Sequence, residues 1–408
     1  MILGEETDDV RSAQPTPLYG AFAELSAANA WTTVNGFAFA RRFTDVATEY
    51  DALTAGCAVV DLSVLKRYSV RGPEAAAVLA RLTSAPTSEL RSGESGRGLV
   101  LDAAGGVLDH CEVTRLAPEL FLLTTSASCN RRLAVASRGF EAYAEDISDG
   151  VAALGVFGPD ARAGAEAAGF EVDVDGTAAQ VRVRGVESFA RPTSLGRAIG
   201  VELIFPADEA LAIWERVRRA AKPVAAGLDA CEIVRLEGGT PRPGRDFPRA
   251  DDDPSGGGRS PAEIGLPHLA PLDRAWFTGR RALRYRSPTR ALAVALVDAD
   301  EASGGGRMLS RVRRMRKGEA PTGRIGSVRT TAFSPHFRGA IAMVEFDLDA
   351  APGGPHGAPP KRADGEEWLI DTPGGALAGA SVLETHEARL ADAYRSRLAA
   401  TESRLEAV

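Results

Sequence analysis

Apolar and polar positions along the chain fall into two rhythms. In "TEYDALTAGCAVVDLS" (48–63) apolar residues recur at helical spacing and then merge into a short unbroken run, which predicts a helix leading into a buried strand. "AFAELSAANAW" (21–31) has helix-compatible spacing throughout. "YSVRGPEAAAVLARLTS" (68–84) predicts a short strand, a Gly-Pro turn and an apolar-periodic helix. "RGLVLD" (97–102), "VLDHCEVTRL" (107–116) and "ELFLLTTS" (119–126) predict three strands of an antiparallel meander, the first two joined by an Ala-Ala-Gly-Gly turn. Helical spacing resumes over 128–143.

From residue 151 the same order returns. "VAALGVFGPDARAGAEAAG" (151–169) is again strand, Gly-Pro turn and Ala-rich helix, and "GVELIFPADEALAIWERVRRAA" (200–221) adds a strand and a long amphipathic helix. The likeness of "VRGPEAAAVLARL" to "VFGPDARAGAEAA" points to an internal duplication, although a Gly-Pro turn before an Ala-rich helix also recurs without one. "RADDDPSGGGRSP" (249–261) reads as a loop, and "IVRLEGG" (233–239) as an extended segment in which Arg235 and Glu237 share a face. Beyond about residue 290 short strands follow one another between Gly/Pro turns: 290–300, 322–333, 339–348, 366–372 and 378–384. They predict a small barrel, with 385–408 as a closing helix. Strands in runs, not in strict alternation with helices, make the class α+β. The division expected is 1–290, itself two α+β subdomains of about 1–150 and 151–290, and a barrel-like domain over 291–408.

Composition narrows the function classes. The 408 residues carry 48 basic and 55 acidic side chains, a formal net charge of -7, which argues against a general nucleic-acid binder because bulk attraction to a polyanion is missing. Four cysteines, Cys57, Cys111, Cys129 and Cys231, lack metal-ligand spacing and read as free thiols. No apolar run is long enough to span a bilayer and the acidic opening lacks a secretory pattern, so a cytoplasmic protein without membrane partners is expected. The strongest charge cluster, "GRMLSRVRRMRKGEAP" (306–321), fits a solvated loop or a docking face for an acidic carrier protein or a polyglutamate tail.

Seven segments in fixed order carry a resemblance. They are "TPLY" (16–19), "VVDLSVLKRYSVRGPEA" (59–75), "LDAAGGVLDHCEVTRL" (101–116), "FGPDA" (157–161), "AGLDACEIVRLEGGTPRPGRDF" (226–247), "FTGRRAL" (277–283) and "GRIGSVRTTAFSP" (323–335). Together they resemble the glycine-cleavage T-protein, an aminomethyltransferase, and its tetrahydrofolate-dependent relatives. The resemblance implies three subdomains around a central opening that receives tetrahydrofolate, with a C-terminal β-barrel.

It also implies site residues. Asp109 matches the carboxylate set near the N5/N10 edge of the pterin, where a carboxylate stabilises positive charge or orients the amine. His110 stands where the aminomethyltransferases have a second Asp, and would carry a proton. Arg235 matches the guanidinium that holds the folate tail through paired hydrogen bonds. Val113, Glu202, Arg97 and Ser126 complete the implied cofactor contacts, Arg97 at the place of a tyrosine and Ser126, with Asn130, near that of an asparagine. Two departures alter the pocket: Ala198 occupies the place of the glutamate that accepts from the pterin's amino edge, and Pro243 that of a tyrosine.

Other readings of these residues stay open. Asp109 also fits a turn-flanking carboxylate, His110 a structural imidazole, Arg235 a partner for Glu237 or Glu232, Arg197 and Arg245 surface charges, and Cys111 core filler. The expected function is a tetrahydrofolate-dependent one-carbon transferase acting on a small methylated metabolite, outside glycine cleavage proper. The alternatives are an aminomethyltransferase working with a lipoyl carrier protein and a non-catalytic folate-binding accessory protein. A pocket refitted to another flat ligand is a third. The cysteine motif of the superfamily's iron–sulfur maturation members is absent, "RLEGGTPRPGRD" standing in its place.

Overall fold

The computed structural model describes all residues except 1–2, 5, 8–9, 173–178, 184, 254–256, 275, 299–311, 317–321, 351–352, 363–365, 372–376, 394 and 397–408. Two compact units emerge: Met1–Val100 with Asp109–Val234, and Leu101–Leu108 with Arg235–Val408.

In the first unit β1 (Glu6–Thr7), β2 (Ala30–Val34) and β3 (Phe37–Arg42) form a small antiparallel sheet. Asn35-Gly36 joins the last two with both residues at positive φ, 53° and 83°, as a tight hairpin with right-handed strand twist requires. The helix expected over 21–31 is therefore shorter: α1 covers Tyr19–Leu25 and the chain then turns into β2. Next come α2 (Val46–Ala55), capped by Asp45, whose Oδ1 accepts from the Thr48 N–H at 2.9 Å, and the buried β4 (Ala58–Asp61).

The rest of this unit is one pattern drawn twice. The first copy is β5 (Lys66–Arg71), α3 (Ala75–Leu82), β6 (Ser95–Leu101), β7 (Val107–Ala117), β8 (Leu120–Thr125), α4 (Asn130–Ala136) and β9 (Tyr143–Asp146). The second is β10 (Val151–Phe157), α5 (Ala161–Ala167), β11 (Ala179–Val183), β12 (Val186–Leu195), β13 (Ala198–Pro206), α6 (Ala210–Ala221) and β14 (Val224–Ala225). Sheet order runs β6-β7-β8-β5-β9 in one and β11-β12-β13-β10-β4-β14 in the other, so the strand before each Gly-Pro turn pairs with the last strand of its meander. Gly72 and Gly158 occupy matching corners at φ 123° and 104°. The duplication read from two short segments thus extends through both sheets.

A helix, α7 (Leu228–Gly238), follows, and this corrects the extended segment expected over 233–239. Residues two apart on a helix do not face each other, so Glu237 does not support Arg235 in the way a shared strand face would allow. Instead Glu237 accepts from the Ser334 hydroxyl at 2.6 Å.

The second unit holds α8 (Arg280–Leu283) and a closed antiparallel barrel of β15 (Arg290–Val297), β16 (Val312–Arg316), β17 (Thr322–Ser334), β18 (Gly339–Asp347), β19 (Glu366–Asp371) and β20 (Leu377–Val382). Its order is β15-β18-β17-β16-β19-β20, around a core that includes Val344, Phe346, Trp368 and Ile370. The basic cluster at 306–321 lies outside the described residues apart from the backbone of β16.

Candidate active site

The hairpin between β6 and β7 shows why the chain spends two glycines there. Asp102 Oδ1 accepts from the N–H groups of Ala104 at 2.9 Å and Gly106 at 2.7 Å, which closes the turn. Gly105 has φ 80°, and a Cβ on it would come within 2.6 Å of Leu283. One on Gly106 would come within 2.8 Å of the Ala250 methyl. The tip is stitched to its own unit by Val107 N–H to Arg259 O at 2.7 Å and Ala250 N–H to Val107 O at 2.9 Å. At Asp109 the strand enters the other unit.

Asp109 is buried, and its carboxylate is fixed from three sides. Oδ1 accepts from the His110 N–H at 2.8 Å and from the Ser126 hydroxyl, and Oδ2 accepts from the Ala127 N–H at 2.8 Å. Asn35 holds the Ser126 end in turn, donating to the carbonyls of Ser126 at 2.5 Å and Val64 at 2.9 Å. Strand alternation puts Cys111 and the fully buried Val113 on the Asp109 face and His110 on the other. Burial first, and Asp109 second, push the Cys111 thiol well above its usual value, and burial pushes Cys129 up to about 12. Neither thiol is a nucleophile at neutral pH.

His110, Arg97, Glu112, Thr124 and Ser126 line one cavity of about 30 Å³, room for roughly one water. Three residues singled out from the sequence, Arg97, His110 and Ser126, thus meet there. Behind its wall lies an ion network that sequence reading missed. Glu202 is fully buried, with Oε1 2.6 Å from Arg67 Nη2 and Oε2 2.6 Å from Arg191 Nε. Burial alone would raise the Glu202 carboxyl, but Arg191 and Arg67 outweigh it and hold it below the usual range. Arg191 continues to Thr114 Oγ1 at 2.8 Å, Thr124 Oγ1 at 3.3 Å and the Glu112 carboxylate at 3.4 Å. Glu202 therefore reaches the cavity wall through Arg191, and through Arg67, whose Nη1 donates to the Leu65 carbonyl at 3.2 Å.

Arg235, 1% exposed, lies near the end of α7 and its Nη1 donates to Asp246 Oδ2 at 2.7 Å and to Thr240 O at 2.6 Å. The fully buried Asp246 also accepts from the Arg242 N–H at 2.7 Å and the Thr330 hydroxyl at 2.5 Å. Asp246 is thus one partner of Arg235. Ala198, 1% exposed, opens β13 and offers no acceptor. Arg197 and Arg245 are exposed, Arg197 reaching the Tyr50 hydroxyl at 3.3 Å.

The GCVT N-terminal domain family matches residues 19–259 of this chain. The chain belongs to the glycine-cleavage T-protein superfamily. A "Probable aminomethyltransferase" of Halobacterium salinarum is 29% identical over 280 residues, 66% of this chain and 74% of that protein. An "Aminomethyltransferase" of Caldanaerobacter subterraneus subsp. tengcongensis is 25% identical over 354 residues, 83% of this chain and 90% of its own length. The crystal structure of glycine cleavage system aminomethyltransferase T from Bartonella henselae superposes with a TM-score of 0.75 at 21% identity, covering 92% of this chain and 98% of that one, which establishes a T-protein-like α+β fold. The superfamily member described here is an enzyme of the folate-dependent one-carbon transferase class. No described helix is long and apolar enough to cross a membrane.

Proposed function

We propose that this T-protein-like enzyme uses tetrahydrofolate to take a methyl or methylene unit from a small methylated metabolite, or to add one, outside glycine cleavage. The observation that carries the reading is the Asp109 carboxylate, buried and held by two amides and a hydroxyl at the start of β7. A carboxylate held in place by that many hydrogen bonds is preorganised to stabilise positive charge at an amine.

Set against a reduced folate, the donor set fits at one end. Asp109 suits the amine edge, and the neighbouring Ser126, Arg97 and His110 supply hydroxyl, cation and imidazole. At the pterin's amino edge Ala198 leaves the usual acceptor missing, which is the main reason for placing the enzyme outside glycine cleavage. When bound, tetrahydrofolate supplies the nitrogen that carries the one-carbon unit. Asp109 then balances charge at that nitrogen, and His110 holds or releases a proton at the substrate heteroatom. Val113 forms apolar wall beside Asp109. Glu202, through Arg191, keeps Glu112 and Thr124 in place. Arg235, buried against Asp246, holds the segment after α7 through the Thr240 carbonyl.

The test is a panel of O-, N- and S-methylated small molecules incubated with enzyme and tetrahydrofolate, with 5-methyl- and 5,10-methylene-tetrahydrofolate followed by chromatography. Product from one of them, lost in Asp109→Asn, supports the reading. Product only from an aminomethylated lipoyl carrier protein, with ammonia released, would return the enzyme to glycine cleavage, in keeping with the name aminomethyltransferase that its relatives from Halobacterium salinarum and Caldanaerobacter subterraneus carry.

A further inference from the structure

Asn35 sits at the tip of the β2–β3 hairpin, 91 positions from Ser126, and its side chain reaches the candidate site from a different sheet. The turn itself accepts asparagine or glycine at this left-handed position. The side-chain amide is what glycine would not supply. Its Nδ2 donates to Ser126 O at 2.5 Å and to Val64 O at 2.9 Å. Both partners are carbonyl oxygens, which only accept, so the donor end of the amide is the one that faces them.

Those carbonyls belong to the Val64–Leu65 and Ser126–Ala127 peptides, and Leu65 and Ser126 both line the cavity that His110 lines. The second peptide is the one that reaches Asp109. Its carbonyl accepts from Asn35, and its N–H, that of Ala127, donates to Asp109 Oδ2 at 2.8 Å. A peptide is planar, so fixing its oxygen fixes the direction of its N–H, and a hydrogen bond at the oxygen polarises that N–H toward the carboxylate. Gly4 packs so close that a Cβ on it would fall 2.0 Å from Asn35 Nδ2, which leaves the amide little room to swing away.

We propose that Asn35 is a positioning residue for Asp109: through the Ser126–Ala127 peptide it sets where the carboxylate points. Its effect on the reaction rests on the role proposed for Asp109, whereas the positioning itself does not. A carboxylate aimed at an amine acts through its direction as well as its charge, so slack in this peptide lowers the rate even with Asp109 intact.

Urea unfolding of the full chain, for Asn35→Gly, Asp109→Ala and the double variant, tests the positioning. Asn35→Gly keeps the left-handed turn and deletes the side-chain amide. The two losses should fall short of adding, with a coupling of about fivefold in the unfolding constant. Hydrogen exchange at the Ala127 amide, followed by mass spectrometry, should be about tenfold faster in Asn35→Gly, and it decides the matter should an Asp109 variant fail to fold. Gly4→Ala, which leaves Asn35 in the chain and crowds its amide, should speed the same exchange. The effect on the reaction is read in single turnovers with tetrahydrofolate and the methylated compound that gives product. Asn35→Gly should slow transfer about tenfold while binding tetrahydrofolate as tightly as the wild type, and should add nothing to the loss in Asp109→Asn. Additive losses of stability, or exchange at Ala127 as slow as in the wild type, would overturn the proposal. Coupled losses with an unchanged rate would support the positioning and remove Asp109 from the chemistry, so the two ideas fail separately.

Discussion

At the scale of single residues, Asp109 and Glu202 are both buried carboxylates with their oxygens occupied, yet they differ in what occupies them. Asp109 accepts from two backbone amides and a hydroxyl, whereas Glu202 lies between two guanidinium groups. Asp109→Asn removes the charge and turns one amide N–H toward another donor. It should lower the single-turnover rate of one-carbon transfer by about 10²–10⁴-fold, with a folding cost of about 1–3 kcal/mol read from urea denaturation. Ser126→Ala removes one of the bonds and leaves the charge, so it should cost about 1 kcal/mol and retain most of the rate. Equal rates for wild type and Asp109→Asn would remove this carboxylate from the chemistry. The charged network was hidden in the sequence for a plain reason: Arg67 and Glu202 are 135 positions apart, and a charge inside an apolar run does not reveal its partner. The hairpin that carries Asp109 was legible because it is local, with turn, strand and carboxylate all within a dozen residues.

At the scale of elements, the repeated strand–Gly-Pro–helix corner stood out because its reason is steric and local. A Cβ on Gly72 would lie 2.5 Å from the Glu141 carbonyl oxygen, and one on Gly158 would lie 2.3 Å from that of Gly56. With positive φ at both, Gly72→Ala and Gly158→Ala should each cost more than about 1 kcal/mol, lowering the urea midpoint at unchanged slope. Gly20→Ala is the control. Gly20 lies in α1 with nothing within 4 Å of the point where an alanine methyl would stand, so alanine there should gain about 0.5–1 kcal/mol. A loss at Gly20 as large as at the two corners would refute the steric argument. The element misread, α7, is buried on nearly every side, so its apolar positions show no clear period. The signal that marks it is its end: Gly239 at φ 78° closes the helix, and a Cβ there would meet Thr385 at 2.1 Å.

At the scale of the whole molecule, three buried acids, spread over both units, share one sign of shift, whereas burial pushes the Asp61 carboxyl the other way. Glu202 in the first unit, and Glu263 and Glu345 in the second, are each pushed up by burial, but their bonding partners outweigh this and hold them below the ordinary value of 4.5. Glu263 accepts from the N–H groups of Ser260 and Thr289, at 2.8 and 2.9 Å, and Glu345 lies 2.7 Å from Arg259. A carboxyl whose native pKa lies below its unfolded one binds fewer protons when folded, so its contribution is complete above that unfolded value and fades as pH falls toward the native one. Stability should therefore hold from neutrality down to about pH 4.5 and decline below it. Glu202→Gln leaves two buried guanidinium groups facing an uncharged amide, so it should cost about 3–5 kcal/mol at pH 7 and make the acid limb shallower. The loss should appear first in the emission of Trp214, in the first unit, isolated by replacing the other tryptophans with Phe. Glu263→Gln, in the second unit, should act on the emission of Trp368 in the same way. An acid limb as steep in Glu202→Gln as in the wild type would show that the charge of Glu202 does not contribute to the fold.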